Sequence, residues 1–185
     1  MPLPSSNSTR LRPRSVAPSC HVAERKYNVL FLCTGNSARS IIAESLLNHL
    51  GGGRVRAFSA GSAPSGNVNP LVLEFLRASG VPTEGARSKS WDEFALPAAP
   101  TMDLVVTVCD RAGSEVCPIW PESPAKAHWS APDPAEFMHD PARAREVIRE
   151  VAQLMRRRIS LMLSLPLDKL DRAGLQERAA NIARQ

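Results

Sequence analysis

Cys33 and Arg39 are the residues whose types and spacing first point to chemistry, within the segment CTGNSARS at positions 33–40. A loop of small polar residues can turn successive backbone N–H groups toward an anion. The arginine adds a planar fork of donors that matches a tetrahedral oxyanion. A cysteine thiolate in the same loop can attack the central atom of that anion. The segment therefore predicts a site that binds an oxyanion and forms a covalent bond with it.

The other loop residues also have expected roles. Gly35 is expected to take a positive φ, and Ser40 to hydrogen-bond the cysteine sulfur. A helix that begins near Ala38 would direct its positive dipole end at the anion. These groups together predict a Cys33 pKa lowered to about 3.5–7.5. The predicted substrate-binding residues are Thr34, Gly35, Asn36, Ser37, Ala38, Arg39 and Ser40. The alternative is a buried cysteine that merely ends a strand, followed by a solvated arginine.

Strand and helix patterns alternate around this loop and must position it. Strands are predicted at 28–32, 54–59, 103–109 and 125–129, and helices at 39–50, 69–79, 142–163 and 168–184. This order is typical of an α/β three-layer sandwich, in which helices flank a parallel sheet of about four strands. Right-handed crossovers bring the carboxyl ends of such strands to one edge. Cys33 and Cys109 both end predicted strands, so we expect both at that edge.

Composition divides the 185 residues into one folded domain and two extensions. Residues 1–26 are basic and lack periodicity, which predicts a disordered N-terminal extension, although a transit peptide or an early start codon gives the same composition. The folded domain is expected at 27–166 and a helical C-terminal extension at 167–185. Most of the net charge of +5 lies in the first segment, so nucleic acid binding is not indicated.

The chain has no apolar run near the roughly 18 residues of a membrane span, and no apolar core of a secretory signal. Its four cysteines are therefore expected to be reduced in the cytoplasm. A zinc site made of Cys109, Cys117 and His128 fits no common ligand spacing. We expect a monomer without a tightly bound cofactor.

The segment 33–40 resembles the C-x5-R-S signature of the low molecular weight protein tyrosine phosphatase superfamily. This resemblance implies the fold of that superfamily and Cys33 as the nucleophile. It also implies that an aspartate of a downstream Asp-Pro pair is the general acid. Asp133, followed by proline, fits that role, and Asp140 is a second copy of the same dipeptide.

Further segments resemble the thiol-coupled arsenate reductases of this superfamily. They are CTGNSARSIIAE, FSAGS, GARSKSWDEF, VVTVCDRAGSEVCPIWP and AHWSAPDPA, in the same order. The resemblance implies a thiol–arsenate adduct on Cys33, which Cys109 resolves as a disulfide. Cys117 is the candidate third thiol that carries the disulfide to the surface. If glutathione or mycothiol is the second thiol instead, Cys117 is dispensable.

The resemblance also implies partners and ions. The electron donor would be thioredoxin, glutaredoxin with glutathione, or mycothiol, and phosphate or sulfate would bind where arsenate does. Some relatives hold a potassium ion, whose ligands would fall on Asn36, Glu44, Ser59 and Asp92. From the residues alone, Asn36 more simply braces the loop.

Two other functions remain open at this stage. A phosphomonoester hydrolase, including a protein tyrosine phosphatase, would use Cys33 and Asp133 with water as the second attacker. An anion-sensing module would bind phosphate or arsenate without turnover. Replacement of Cys109 by serine distinguishes the enzymes, because only the reductase needs that thiol.

Overall fold

The computed structural model describes residues 25–114 and 120–185, so the predictions for residues 1–24 and for Cys117 lie outside the described residues. The strands are β1 (Tyr27–Cys33), β2 (Val55–Gly61), β3 (Leu104–Thr107) and β4 (Ala125–His128), and the α-helices are α1 (Arg39–Leu50), α2 (Pro70–Ala78), α3 (Asp110–Ser114), α4 (Pro141–Leu163) and α5 (Arg172–Ile182). All predicted strands and helices are present, with small differences at their ends. Within the described ranges, no helix combines the length and apolar character that a membrane crossing requires.

The four strands form one parallel sheet in the order β2-β1-β3-β4. The central strand β1 pairs with β2 up to Cys33↔Gly61 and with β3 up to Leu32↔Thr107. The predicted α/β class with a four-stranded parallel sheet is confirmed. Because all strands run in one direction, their carboxyl ends lie along one edge, as the placement of a ligand site requires.

The two faces of the sheet bury separate apolar clusters, because alternate residues of a strand point to opposite faces. Val29 and Phe31 of β1 belong to the larger cluster, which also contains side chains of α1, α2, α4 and α5. Leu30 faces the other way and packs with Phe94 and Trp120. Phe94 lies in a short 3₁₀ helix that the sequence patterns did not predict. The sheet is thus covered on both faces, with most of the helical layer on one of them.

The last helix, α5, packs beside the edge strand β4. Its Leu175, Ala179 and Ile182 are buried in the larger cluster. The indole N–H of Trp129 donates a hydrogen bond to the Ala179 carbonyl at 2.8 Å, which ties the end of β4 to α5. The domain boundaries at 26/27 and 166/167 stay predictions.

Candidate active site

The segment 33–40 connects β1 to α1 at the carboxyl edge of the sheet. Cys33 is the last residue of β1 and is 3% exposed, and Arg39 is the first residue of α1. Ala38 caps α1 without a side-chain hydrogen bond, so its side chain leaves the first-turn N–H groups free to face an anion. A buried strand and a buried helix therefore fix the two ends of the loop.

The chain after β2 holds the loop backbone from outside. The carbonyl oxygens of Cys33, Thr34, Gly35 and Ser37 accept hydrogen bonds of 2.9–3.3 Å from amides within residues 62–69. In a planar trans peptide, the N–H points away from the carbonyl of the same unit. The loop amides that follow these carbonyls therefore point to the inner side, which gives the expected nest for an anion.

Asn36 makes the sharp bend of the loop. It is fully buried and has a φ of 43°. Its side-chain amide donates to Ser40 Oγ and Ser59 Oγ, each at 2.9 Å, and its Oδ1 accepts the backbone N–H of Lys89 at 2.8 Å. The expectation of a positive φ at Gly35 is wrong, because the left-handed residue is Asn36. Asparagine tolerates this conformation, and its side chain ties the bend to two other segments.

Two donors surround the Cys33 sulfur. The hydroxyl oxygen of Ser40 lies 2.9 Å from Sγ, as expected, and the Asn36 amide N–H donates to Sγ at 3.1 Å. Burial nevertheless raises the pKa of Cys33. The hydrogen bonds of Ser40 and Asn36 and the charge of Arg39 lower this pKa by less, and the charge of Cys109 raises it further. The expectation of a lowered pKa is therefore wrong, because removal from water disfavours the thiolate more than the donors favour it. Cys33 must release a proton when it attacks.

A second buried thiol lies beside the loop. Cys109 follows β3, is 2% exposed and, like Cys33, is a free cysteine. Its sulfur lies 3.7 Å from Thr34 Oγ1 and accepts the Ala112 N–H at 3.4 Å. Because Thr34 directly follows Cys33, the structure brings both cysteines to one place, as the strand pattern predicted.

Asp133 forms an ion pair with Arg39 across the mouth of the loop. The chain before it continues alongside β3, since the Ala131 amide donates to the Val108 carbonyl at 3.2 Å. Asp140, the aspartate of the second Asp-Pro pair, instead caps the start of α4 with its side chain. Tertiary structure thus separates two identical dipeptides, and only Asp133 contacts the loop arginine.

Hydrogen bonds join three of the four residues expected to hold potassium, Asn36, Ser59 and Glu44. Ser59 donates to Glu44 Oε2 at 2.6 Å and accepts from Asn36. Asp92 instead accepts a hydroxyl hydrogen bond within its own 3₁₀ turn at 2.9 Å. The ammonium of Lys89, whose side chain is 6% exposed, lies 3.6 Å from Glu44 Oε2. Burial raises the pKa of Glu44 and lowers that of Lys89, and each charge partly offsets this effect on its partner.

His128 engages both of its ring nitrogens with neighbours other than a cysteine. Nδ1 lies 2.7 Å from Thr107 Oγ1, and Nε2 lies 3.1 Å from Asp110 Oδ1. Hydrogen bonds, first to Ser130 and then to His128, hold the pKa of Asp110 below its usual value. Over residues 25–114 and 120–185, no three acidic, histidine or cysteine side chains are grouped as a metal site requires.

Sequence reasoning missed two residues that shape this site. Lysine is rarely buried, so nothing in the sequence singled out Lys89. Gly61 packs on the loop so closely that a Cβ would lie 2.4 Å from the Thr34 carbonyl oxygen. A glycine at a strand end is a recognisable sign of close backbone approach, so Gly61 could have been found.

Comparisons with known proteins agree with this geometry. Residues 28–171 match the family described as low molecular weight phosphotyrosine protein phosphatase. An arsenate reductase of Bacillus cereus is 37% identical over 132 residues, which is 69% of this chain and 92% of that protein. Arsenate reductase 2 of Staphylococcus epidermidis is 37% identical over 110 residues, 60% of this chain and 80% of that protein.

Solved structures show the same fold. The thioredoxin-dependent arsenate reductase of Corynebacterium glutamicum aligns with a TM-score of 0.53 and 31% identity. The alignment covers 73% of this chain and 61% of that chain. An arsenate reductase of Archaeoglobus fulgidus aligns with a TM-score of 0.55 and 29% identity over 71% of this chain and 98% of its own. The tyrosine phosphatase Wzb of Escherichia coli K30, 20% identical with a TM-score of 0.58 over 74% of this chain and 98% of its own, shows the fold alone.

Proposed function

We propose an arsenate reductase function for this chain, which belongs to the low molecular weight phosphotyrosine protein phosphatase family. The observation that carries the proposal is the second buried thiol, Cys109, 3.7 Å from the hydroxyl of Thr34 in the loop. A hydrolase needs one thiol, whereas reduction of As(V) to As(III) takes two electrons, which two thiols supply when they form a disulfide. The identity to arsenate reductases over most of the domain supports the same conclusion.

Binding of arsenate rests on the loop backbone and Arg39. The inward amides, the N-terminus of α1 and the guanidinium together offer donors and positive charge to three oxygens of the anion. The side chain of Arg39 is only 13% exposed, so its charge acts in a medium of low polarity. Phosphate and sulfate have the same shape and charge, and we expect them to compete for this site.

In the first step, the Cys33 sulfur attacks arsenic and an S–As bond replaces an As–OH bond. The proton lost by the thiol and the hydroxyl lost by arsenic together make the water that leaves. Asp133 relays this proton from the thiol to the leaving hydroxyl, as the anion takes the place of its carboxylate on Arg39. Ser40 and the Asn36 N–H, which contact Sγ at 2.9 and 3.1 Å, stabilise the sulfur as it loses its proton.

In the second step, the Cys109 sulfur attacks Cys33 and an S–S bond forms as the S–As bond breaks. The bonding electron pair stays on arsenic, so arsenite leaves as As(III) and takes up the proton that the Cys109 thiol loses. The two sulfurs are thereby oxidised to a disulfide. Thr34, which contacts the Cys109 sulfur, is placed to orient it. The nearby charge of Cys109 also raises the pKa of Cys33, which supports the pairing of these two thiols.

An external thiol must reduce the disulfide before the next turnover. We propose a dithiol protein such as thioredoxin or glutaredoxin, with glutathione or mycothiol as alternatives, acting in the cytoplasm, where thiols stay reduced. Cys117 is the proposed shuttle that presents the disulfide at the surface. Cys117→Ser should therefore leave the first turnover intact and stop repeated turnover with a dithiol protein.

Counting thiols tests the proposal directly. The fully reduced protein is exposed to arsenate, its remaining thiols are alkylated, and the intact mass is measured. We expect the wild type to lose two thiols per chain, and peptide mapping of Cys117→Ser to place the first disulfide between Cys33 and Cys109. Cys109→Ser should lose none, and Cys20→Ser, a cysteine outside the mechanism, should behave as the wild type.

The alternative is a phosphatase, favoured by the position of Asp133 beside Arg39. That pair can serve phosphomonoester hydrolysis with no contribution from Cys109. Protein thiols that arsenate leaves unchanged, and no arsenite formed when glutathione, mycothiol or thioredoxin is added, would reject the reductase. Turnover of an aryl phosphate that survives Cys109→Ser would then establish the phosphatase.

A further inference from the structure

A lysine ammonium is buried close to the residues that brace the loop. The Lys89 ammonium lies 3.6 Å from Glu44 Oε2 and also donates to the Arg87 carbonyl at 3.3 Å. Lys89 and Glu44 have side-chain exposures of only 6% and 16%. Water screens the attraction between two charges this buried only weakly. Removal of one partner leaves the other charge uncompensated.

Hydrogen bonds link this ion pair to the nucleophile. Glu44 accepts from Ser59 at 2.6 Å, and Ser59 accepts from the side chain of Asn36 at 2.9 Å. Asn36 in turn donates its backbone N–H to the Cys33 sulfur at 3.1 Å. The ammonium therefore stands at one end of a continuous network whose other end is the reacting atom.

A bound potassium ion does not fit the same residues well. Such an ion needs several oxygen ligands, but Asn36 presents its amide nitrogen to Ser59 and uses its Oδ1 to accept the Lys89 backbone N–H at 2.8 Å. Asp92, the fourth expected ligand, is bonded within its own turn. A second cation at Glu44 would also be repelled by the ammonium already there.

We propose that Lys89 is a positioning residue, whose ammonium supplies the positive charge that the resemblance assigned to potassium and so holds Glu44, Ser59 and Asn36 in place under the loop. The proposal rests on the proposed oxyanion site of residues 33–40. Lys89 contacts the network in two ways, through its side-chain ammonium and through its backbone N–H. The backbone N–H bonds Asn36 whatever the side chain is. A substitution at this position therefore removes the charge and keeps that hydrogen bond.

The experiment measures binding of inorganic phosphate by titration calorimetry in potassium chloride and in choline chloride of equal ionic strength. For the wild type we expect the same dissociation constant in both salts. Lys89→Met should bind phosphate more weakly in choline chloride by roughly two- to thirtyfold, the effect typical of removing one member of a coupled network. Potassium should restore much of this loss, because removal of the ammonium leaves two oxygen ligands, the Glu44 carboxylate and the Arg87 carbonyl, without their cation. Lys126→Met, an exposed lysine of β4, is the matched control and should match the wild type.

A second variant shows whether restoration acts through the carboxylate. Lys89→Met combined with Glu44→Gln removes the unpaired charge, so potassium should no longer improve phosphate binding. Wild-type binding that strengthens in potassium relative to choline would overturn the proposal, because the chain would then use the ion itself. It is equally overturned if Lys89→Met is unimpaired, or if it is impaired and gains nothing from potassium.

Thermal unfolding without any added oxyanion separates this proposal from the proposed function. The melting temperature of Lys89→Met should rise in potassium relative to choline, and that of the wild type should not. If the wild type bound no phosphate, the oxyanion site would be rejected, while the melting temperatures would still decide the role of Lys89.

Discussion

Gly61→Ala is the substitution that most directly tests how the fold builds the site. Gly61 ends β2 beside Cys33, and a Cβ there would lie 2.4 Å from the Thr34 carbonyl oxygen and 3.0 Å from the Asn36 Cβ. Both neighbours belong to the loop itself. Because the closest atom is backbone and not a flexible side chain, the added methyl group must displace the loop or the strand end.

The geometry sets the size of the effect. To reach even 3.0 Å, the shortest separation that real Cβ atoms show, the two segments must part by at least 0.6 Å. Overpacking of this kind costs about 1–3 kcal/mol of the free energy of unfolding. For a chain of this length, that corresponds to a fall in melting temperature of about 2–12 °C. A displacement near 1 Å at a reacting group can lower the rate about a hundredfold.

Two assays and one control check this prediction. Thermal unfolding measures the stability loss, and the rate at which arsenate consumes thiols in a single turnover measures the displacement of the loop. Gly35→Ala is the stability control, since its Cβ would meet nothing closer than Ser37 Oγ at 3.7 Å. If Gly61→Ala kept the melting temperature and the single-turnover rate of the wild type, the close packing of β2 on the loop would not position the site.

Three further predictions follow from the same contacts. Asn36→Ala should lower the free energy of unfolding by about 2–4 kcal/mol, because it unpairs buried groups and keeps a positive φ without a compensating side chain; a denaturant titration that shows less than about 1 kcal/mol would contradict this bracing role. Burial raises the pKa of Cys33, so its contribution to stability is complete below the unfolded thiol pKa of about 8.5 and is lost as the pH rises toward the higher folded value. Above about pH 8.5, the wild type should therefore lose stability more steeply than Cys33→Ser, by up to about 1.4 kcal/mol per pH unit; equal slopes would show that the thiol is not buried as described. Trp129→Phe should lower the free energy of unfolding by about 1–3 kcal/mol, because it removes the indole hydrogen bond to the Ala179 carbonyl. It should also speed amide exchange in α5 without weakening phosphate binding. Unchanged exchange would mean that the indole hydrogen bond does not anchor the helix.

The order of elements could be predicted because it depends on local patterns. The continuous apolar run of β1 and the period of α1 and α4 reflect which faces are buried, and both appear in the sequence. The positions of Cys33 and Cys109 at one edge follow from strand direction alone. The end of a strand differs from the prediction where backbone pairing extends past the residues of the sequence pattern. Gly61, for example, belongs to β2 because it pairs with Cys33.

The electrostatics of the loop could not be predicted in the same way. The sequence shows the donors around Cys33 but not the depth of its burial, and burial decides the direction of its pKa shift. It likewise shows Gly35 as the permissive residue, although the bend falls at Asn36, whose side chain finds partners on β2 and at Lys89. Partners far apart in the chain are set by packing.

The sequence alone determines that a small polar loop joins a strand to a helix, that two cysteines lie at one sheet edge and that an aspartate follows downstream. Each of these depends on residue type and local period. Tertiary structure decides which aspartate of two contacts Arg39, which residue bends the loop, and that Lys89 is buried against Glu44. The physical reason is that these outcomes depend on contacts between segments 20 to 100 residues apart, which no local pattern encodes. They also depend on the water that polar side chains lose when those segments pack together.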